Sequence, residues 1–194
     1  MKYFFFDLET TGTKYWKNGI HQISGLIEID GEIKEKFDFR VKPNPSCLIE
    51  NEALAIAGVT VDQILQYDEM QKVFAQIEVI LASYVDKFNK TDKFFLVGYN
   101  NAGFDNPFFR AFFVQNAKTP KDAEYGNYFG SWFWSDSLDV LVLASNYLKK
   151  ERHFMQDFKL KTVAKQLGIE IDETRLHDAE YDILITREIF NIVQ

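Results

Sequence analysis

The sequence predicts an α/β fold, a mixed sheet covered by helices, and three observations carry the prediction. Phe4-Phe5-Phe6 near the N-terminus has the composition of a buried strand. Two further strand-like segments follow, joined by Asp30-Gly31, a hairpin signal. After residue 50 helical spacing takes over, interrupted by one compact apolar run at Phe94–Tyr99. A strand meander followed by helices alternating with strands gives a mixed sheet with helical cover.

The elements can be justified in order. Residues 2–8 read as the first strand, Gln22–Asp30 as the second and Glu32–Val41 as the third. Pro43-Asn44-Pro45-Ser46 stops the sheet, since proline cannot donate to a ladder. A short helix around Glu50–Ile56 ends at Gly58, and Thr60-Val61-Asp62-Gln63 has the form of a capping box. Val73, Ile77, Ile80, Leu81 and Tyr84 repeat at helical spacing within a helix expected from Asp68 to about Phe88. The Phe94–Tyr99 strand runs into the loop Asn100–Gly103 and a helix from about Asp105 to Asn116. Residues 118–135, rich in Gly, Asn and aromatics, form the least regular stretch. Helices are expected over Leu138–Lys149, Leu160–Leu167 and Ala179–Val193.

With 194 residues and no repeat, low-complexity tract or linker, a single domain over residues 1–194 is expected. A hydrophobic share of 46% and a charged share of 26% argue against disorder. No apolar run approaches the ~20 residues that span a bilayer, and acids follow the N-terminal aromatics too soon for a signal peptide. No membrane association is expected. Cys47 is the single cysteine, which excludes an internal disulfide and suits a reducing cytoplasm. The net charge of −7 speaks against a broad basic surface for long duplexes, though not against an enzyme that holds one strand end.

Asp7 and Glu9 follow the phenylalanines directly, and strand alternation points both to one face. Like charges side by side at the end of a buried strand are costly unless a cation lies between them. A hard divalent ion is the natural one; an exposed strand end before a Thr-Thr-Gly turn is the plain alternative. Asp105 falls in the first turn of its helix, where it serves equally as a partner of the helix dipole. His177 and Asp182 can share one site if His177 lies just before the last helix and Asp182 one turn inside it. A base poised near neutral pH beside metal-binding acids suits hydrolysis by activated water. Read alone, acids in a first turn and a lone histidine also have ordinary surface or core roles. His21 and His153 show no partner pattern and read as surface or structural residues.

Jointly, Phe6-Asp7-Leu8-Glu9-Thr10-Thr11-Gly12, Asn101-Ala102-Gly103-Phe104-Asp105 and His177-Asp178-Ala179-Glu180-Tyr181-Asp182 resemble the three exonuclease motifs of the DEDDh superfamily. That group contains the proofreading epsilon subunit of bacterial DNA polymerase III, ribonuclease T and oligoribonuclease. The resemblance runs through most of the chain, including Ala57-Gly58-Val59-Thr60, Leu138–Ala144 and Leu160–Ile169. His177 stands five residues before Asp182, as the histidine subtype requires; the tyrosine subtype would need Tyr at position 178, which is Asp. Thr10 in the first motif looks more like the proofreading branch than like oligoribonuclease, which has Met there. The sequence departs from the epsilon pattern at Asn100, where that pattern has His, and residues 125–134 match no part of it.

The resemblance implies a ribonuclease H-like three-layer α/β/α fold with a mixed five-stranded sheet. It implies two Mg²⁺ or Mn²⁺ ions, with Asp7 bridging, Glu9 and Asp182 completing one site and Asp105 helping to hold the second. His177 would be the base that activates water, and a 5′-nucleotide would leave from the 3′ end of a single strand. Backbone groups of Thr10, Thr11 and Gly12, with Asn101 and Phe104, would grip that end; core packing is the equal alternative for Phe104. The expected activity is 3′–5′ exonuclease action on single-stranded DNA, of proofreading or repair type, alone or in a replication or repair complex. An exoribonuclease of ribonuclease T or oligoribonuclease type is the alternative. Retention of all five key residues argues against a catalytically inactive interaction module.

Overall fold

The computed structural model describes residues 1–175 and 178–194. Among them the strands are β1 (Lys2–Thr10), β2 (Ile20–Ile29), β3 (Glu32–Arg40), β4 (Phe95–Gly98) and β5 (Leu138–Asp139). They form a mixed sheet in the order β3-β2-β1-β4-β5. The meander β1-β2-β3 is antiparallel, while β4 joins β1 and β5 joins β4 in parallel. The β2–β3 turn places Asp30 and Gly31 at φ 52° and 85°, the left-handed pair that a tight hairpin needs.

The helices are α1 (Asn51–Ile56), α2 (Val61–Ile64), α3 (Met70–Tyr84), α4 (Asp105–Gln115), α5 (Pro120–Glu124), α6 (Phe129–Trp132), α7 (Val140–Tyr147), α8 (Leu160–Gln166) and α9 (Ala179–Val193). Thr60 and Gln63 form the capping box at the start of α2. Alternation along β1 feeds two cores. Phe4, Phe6 and Leu8 pack with α3 and α4, whereas Phe5 packs with Val140, Val163, Ile189 and Phe190 of α7, α8 and α9. The sheet is therefore the middle of three layers. β2 is buried from Ile20 to Glu28, and Glu28 pairs with Arg187, tying α9 to the sheet.

Two expectations need correction. Leu138 and Asp139 pair with Val97 and Gly98 as a fifth strand, so the helix begins only at Val140. Residues 118–135 are not merely irregular: they fold into α5, a 3₁₀ turn and α6, and Phe129, Trp132 and Phe133 are buried against α4. Phe113 meets Phe129 edge-on at 4.9 Å. The absence of a repeat period hid this segment, because a kink at Asn127 and Tyr128 (φ 48° and 59°) breaks it into short pieces.

Candidate active site

The acids gather where the parallel strands end. Asp7 and Glu9 occupy odd positions of β1, on the face that α9 covers, and both are half-buried. The β1–β2 register shifts between Glu9 and Thr10, and such a bulge re-aims side chains where pairing stops. Asp105, only 4% exposed, sits in the first turn of α4. Its Oδ1 accepts a hydrogen bond from the Leu8 N–H at 3.1 Å, which fixes it to the strand between Asp7 and Glu9. Asp182 is one turn inside α9, whose N-cap is the Asp178 side chain accepting the Glu180 N–H.

These carboxylates act on one another. Burial raises Asp7 well above the usual carboxylate range, and Asp105, Glu9 and Asp182 push it further. Glu9 is raised to about 7 by burial and then by Asp182, while Arg40 opposes the rise. Burial likewise raises Asp105 to about 7, against the Leu8 hydrogen bond. Among the described residues no three Asp, Glu, His or Cys side chains are drawn into the tight arrangement of a ligated metal. Through-space coupling reaches further than a coordination bond, and carboxylates without a cation between them repel. The donor set, oxygen only and short of compensating charge, fits hard divalent ions.

Asp182 opens into a cavity of about 730 Å³ that Tyr99, Asn100, Phe158, Lys159 and Lys161 also line. Asn100 has φ 62°, and its N–H donates to Asp139 Oδ1 at 3.0 Å. The Ala102 N–H donates to Asp139 Oδ2 at 3.3 Å, and the Leu141 N–H to Oδ1 at 3.0 Å. Asp139 thus caps α7 and also holds the loop leading to Asp105. That second task was not visible in the sequence. Nor was the polar ladder beside Glu9, where Gln22 and Ser24 both bind Asp38 and Gln22 also accepts from Arg40. Its signal was two polar residues at strand spacing inside an apolar run.

The expected substrate contacts are placed as follows. Thr10 Oγ1 donates to the Gly12 carbonyl at 2.8 Å. Thr11 is fully buried; its N–H donates to Gly19, and its hydroxyl donates to Leu48. A Cβ on Gly12 would lie 2.3 Å from Asn18 Nδ2, so glycine lets the loop close on Asn18. Asn101 is fully buried, with Nδ2 directed to Asn106 Oδ1 at 3.4 Å. Phe104 is half-buried against Phe108, with ring centroids 5.2 Å apart. The structure thus brings Asp7, Glu9, Asp105 and Asp182 together; His177 lies outside the described residues. His21 is fully buried and held down at about 4, by burial first and then by Arg40.

The fold is matched in known proteins. Solved structures of Escherichia coli exonuclease I align closely. Its complex with a dT13 oligonucleotide has a TM-score of 0.74 and 23% identity, covering 99% of this chain and 40% of that one. A zinc-bound exonuclease I–ssDNA complex has a TM-score of 0.74 and 24% identity, with the same coverage. The DNA polymerase III PolC-type protein of Mycoplasmopsis pulmonis (strain UAB CTIP) is 24% identical over 189 residues, 97% of this chain but 11% of that protein. The chain thus spans less than half the length of each of these relatives. The exonuclease family model (RNase_T) matches residues 4–190, and with its three motifs the chain belongs to this exonuclease family, as a member of the DEDDh type.

Proposed function

We propose that this chain is a divalent-metal-dependent 3′–5′ exonuclease that releases 5′-nucleotides from the 3′ end of single-stranded DNA. The observation that carries the proposal is the convergence of Asp7 and Glu9 of β1, Asp105 of α4 and Asp182 of α9, with Asp7, Glu9 and Asp105 held above their usual titration range. In this reading Asp7, Glu9, Asp105 and Asp182 would together hold the divalent ions, Mg²⁺ or Mn²⁺. Such ions polarise the phosphodiester and lower the pKa of water. His177, next to the α9 N-cap in sequence, takes the proton of the attacking water onto a ring nitrogen. The water oxygen bonds to phosphorus as the bond from phosphorus to the 3′ oxygen of the penultimate nucleotide breaks, and solvent water supplies the proton to that 3′ oxygen. The shortened strand leaves with a 3′-hydroxyl, and the terminal nucleotide keeps its 5′-phosphate.

Phe104, which is half-buried, would contact the terminal base, and aromatic stacking tolerates any sequence. DNA is favoured as substrate because exonuclease I, which shares this fold, is seen with dT13. The PolC-type similarity supports work in DNA replication or repair. Among the described residues no helix is long and apolar enough to cross a membrane, and the cytoplasm is the proposed compartment.

The test is incubation of end-labelled single-stranded DNA, RNA and mismatched duplex with the protein in Mg²⁺, Mn²⁺ or EDTA. Shortening of single-stranded DNA from the 3′ end in a metal but not in EDTA is expected. No shortening of any substrate in either metal would sink the proposal, and preferred cleavage of RNA would replace its substrate.

A further inference from the structure

The charge of this acidic chain is unevenly spread. Residues 149–165 carry six Lys or Arg against two acids, a net +4 within a chain of −7. Lys149, Lys150, Arg152 and Lys159 are all exposed. Lys161 and Lys165 share the one carboxylate of Glu173, but among the described residues no carboxylate lies within ion-pairing distance of the other four. Arg152 instead lies over the Phe158 ring, 4.7 Å from its centroid. Phe158, Lys159 and Lys161 line the same cavity as Asp182. Phe154, in the same loop, is 86% exposed.

A row of unpaired cations costs self-repulsion that a polyanion relieves, and interleaved aromatic rings offer faces for unpaired bases. Resting on the exonuclease reading above, we propose that the flank 149–159 is the binding track for the single strand upstream of the acid site. Lys149, Lys150, Arg152 and Lys159 neutralise phosphates, and Phe154 is a stacking surface. The strand then runs along the flank into the cavity at Asp182. The flank concentrates the substrate beside a cluster of acids that would otherwise repel it.

The test is binding of 5′-fluorescein-labelled dT12 by the whole chain, read by anisotropy in EDTA so that no cleavage is needed, across a KCl series. Four phosphate contacts predict that the logarithm of the binding constant falls with log[KCl] at a slope of about −3. The triple variant Lys149→Glu, Lys150→Glu, Arg152→Glu should weaken binding at least tenfold and flatten the slope by about 2. Phe154→Ala should weaken binding by about fivefold or more, the low end of one base stack, while keeping the slope. The single reversal Lys90→Glu, in the loop before β4, should change neither, whereas Arg152→Glu alone, its charge-matched counterpart, should weaken binding and flatten the slope by about 0.7. Circular dichroism and the melting curve check that the triple variant is folded. A folded triple variant that binds dT12 with unchanged affinity and slope overturns the track, even if the protein proves to be an exonuclease. Conversely, a protein that shortens no strand but shows these effects retains the track and loses the proposed reaction. Binding of phosphatidylserine vesicles through these residues, with none of dT12, would also overturn it.

Discussion

At the residue scale the chemistry divides between charge held in place and a proton to be moved. Asp7 is the carboxylate on which three others act, so Asp7→Asn removes the proposed metal ligand without changing volume. It should lower turnover by roughly a thousandfold or more, because a bound metal contributes several kcal/mol at the transition state. It should also abolish Mn²⁺ binding by calorimetry. His177→Ala should lower turnover by about 10²–10⁴-fold while Mn²⁺ still binds, as expected for a general base that is not a ligand. Loss of metal binding in that variant would remove the base assignment. Asp7 and Glu9 on one face of β1, and Asp182 one turn inside the last helix, were legible because alternation and helix periodicity are local. That Asp105 bonds the Leu8 N–H was not, since 97 residues separate the partners.

At the element scale the acids depend on the stiffness of β1, which lies between β2 and β4 with helices on both faces. Gly25 of β2 lies opposite Phe6 on one side and Phe37 on the other. A Cβ there would lie 2.1 Å from Phe37 Cζ, and Phe37 is itself stacked on Phe39 at 5.2 Å. Gly25→Ala should therefore destabilise the protein by about 1–3 kcal/mol through overpacking. A urea midpoint that falls with an unchanged m-value would verify this. The elements were read well where periodic. Ala179–Val193 has the bounds expected from spacing, whereas β5 at Leu138–Asp139 is too short to show any period and exists only through its pairing with β4.

At the scale of the whole molecule, the charged site couples stability to pH and metal. Glu9 and Asp105, at about 7 in the folded protein, titrate near their lower ordinary values once unfolded. Between pH 6.5 and 8 the folded state therefore binds more protons than the unfolded one, and stability falls as pH rises. Below 6.5 His21, held at about 4 when folded, works in the opposite sense, because unfolding lets it take up a proton. In EDTA the melting temperature should drop from pH 6.5 to pH 8, and saturating Mg²⁺ should raise it most at pH 8. A melting temperature that rises over this range in EDTA would contradict the electrostatic reading of the acid cluster.

Sequence alone determined the strand meander, the succession of helices and the residue types of the site, because hydrophobic period, turn chemistry and motif spacing are properties of short segments. Tertiary structure decided which segments meet. It joined β1 to β4 and laid α9 on β1, so that acids far apart in the chain share one burial and one field. It also turned the aperiodic 118–135 stretch into a wall of the aromatic core and set a cationic flank beside an acidic site. The physical reason is common to all of these: local pattern governs the element a segment forms, whereas burial and through-space charge depend on neighbours that only packing supplies.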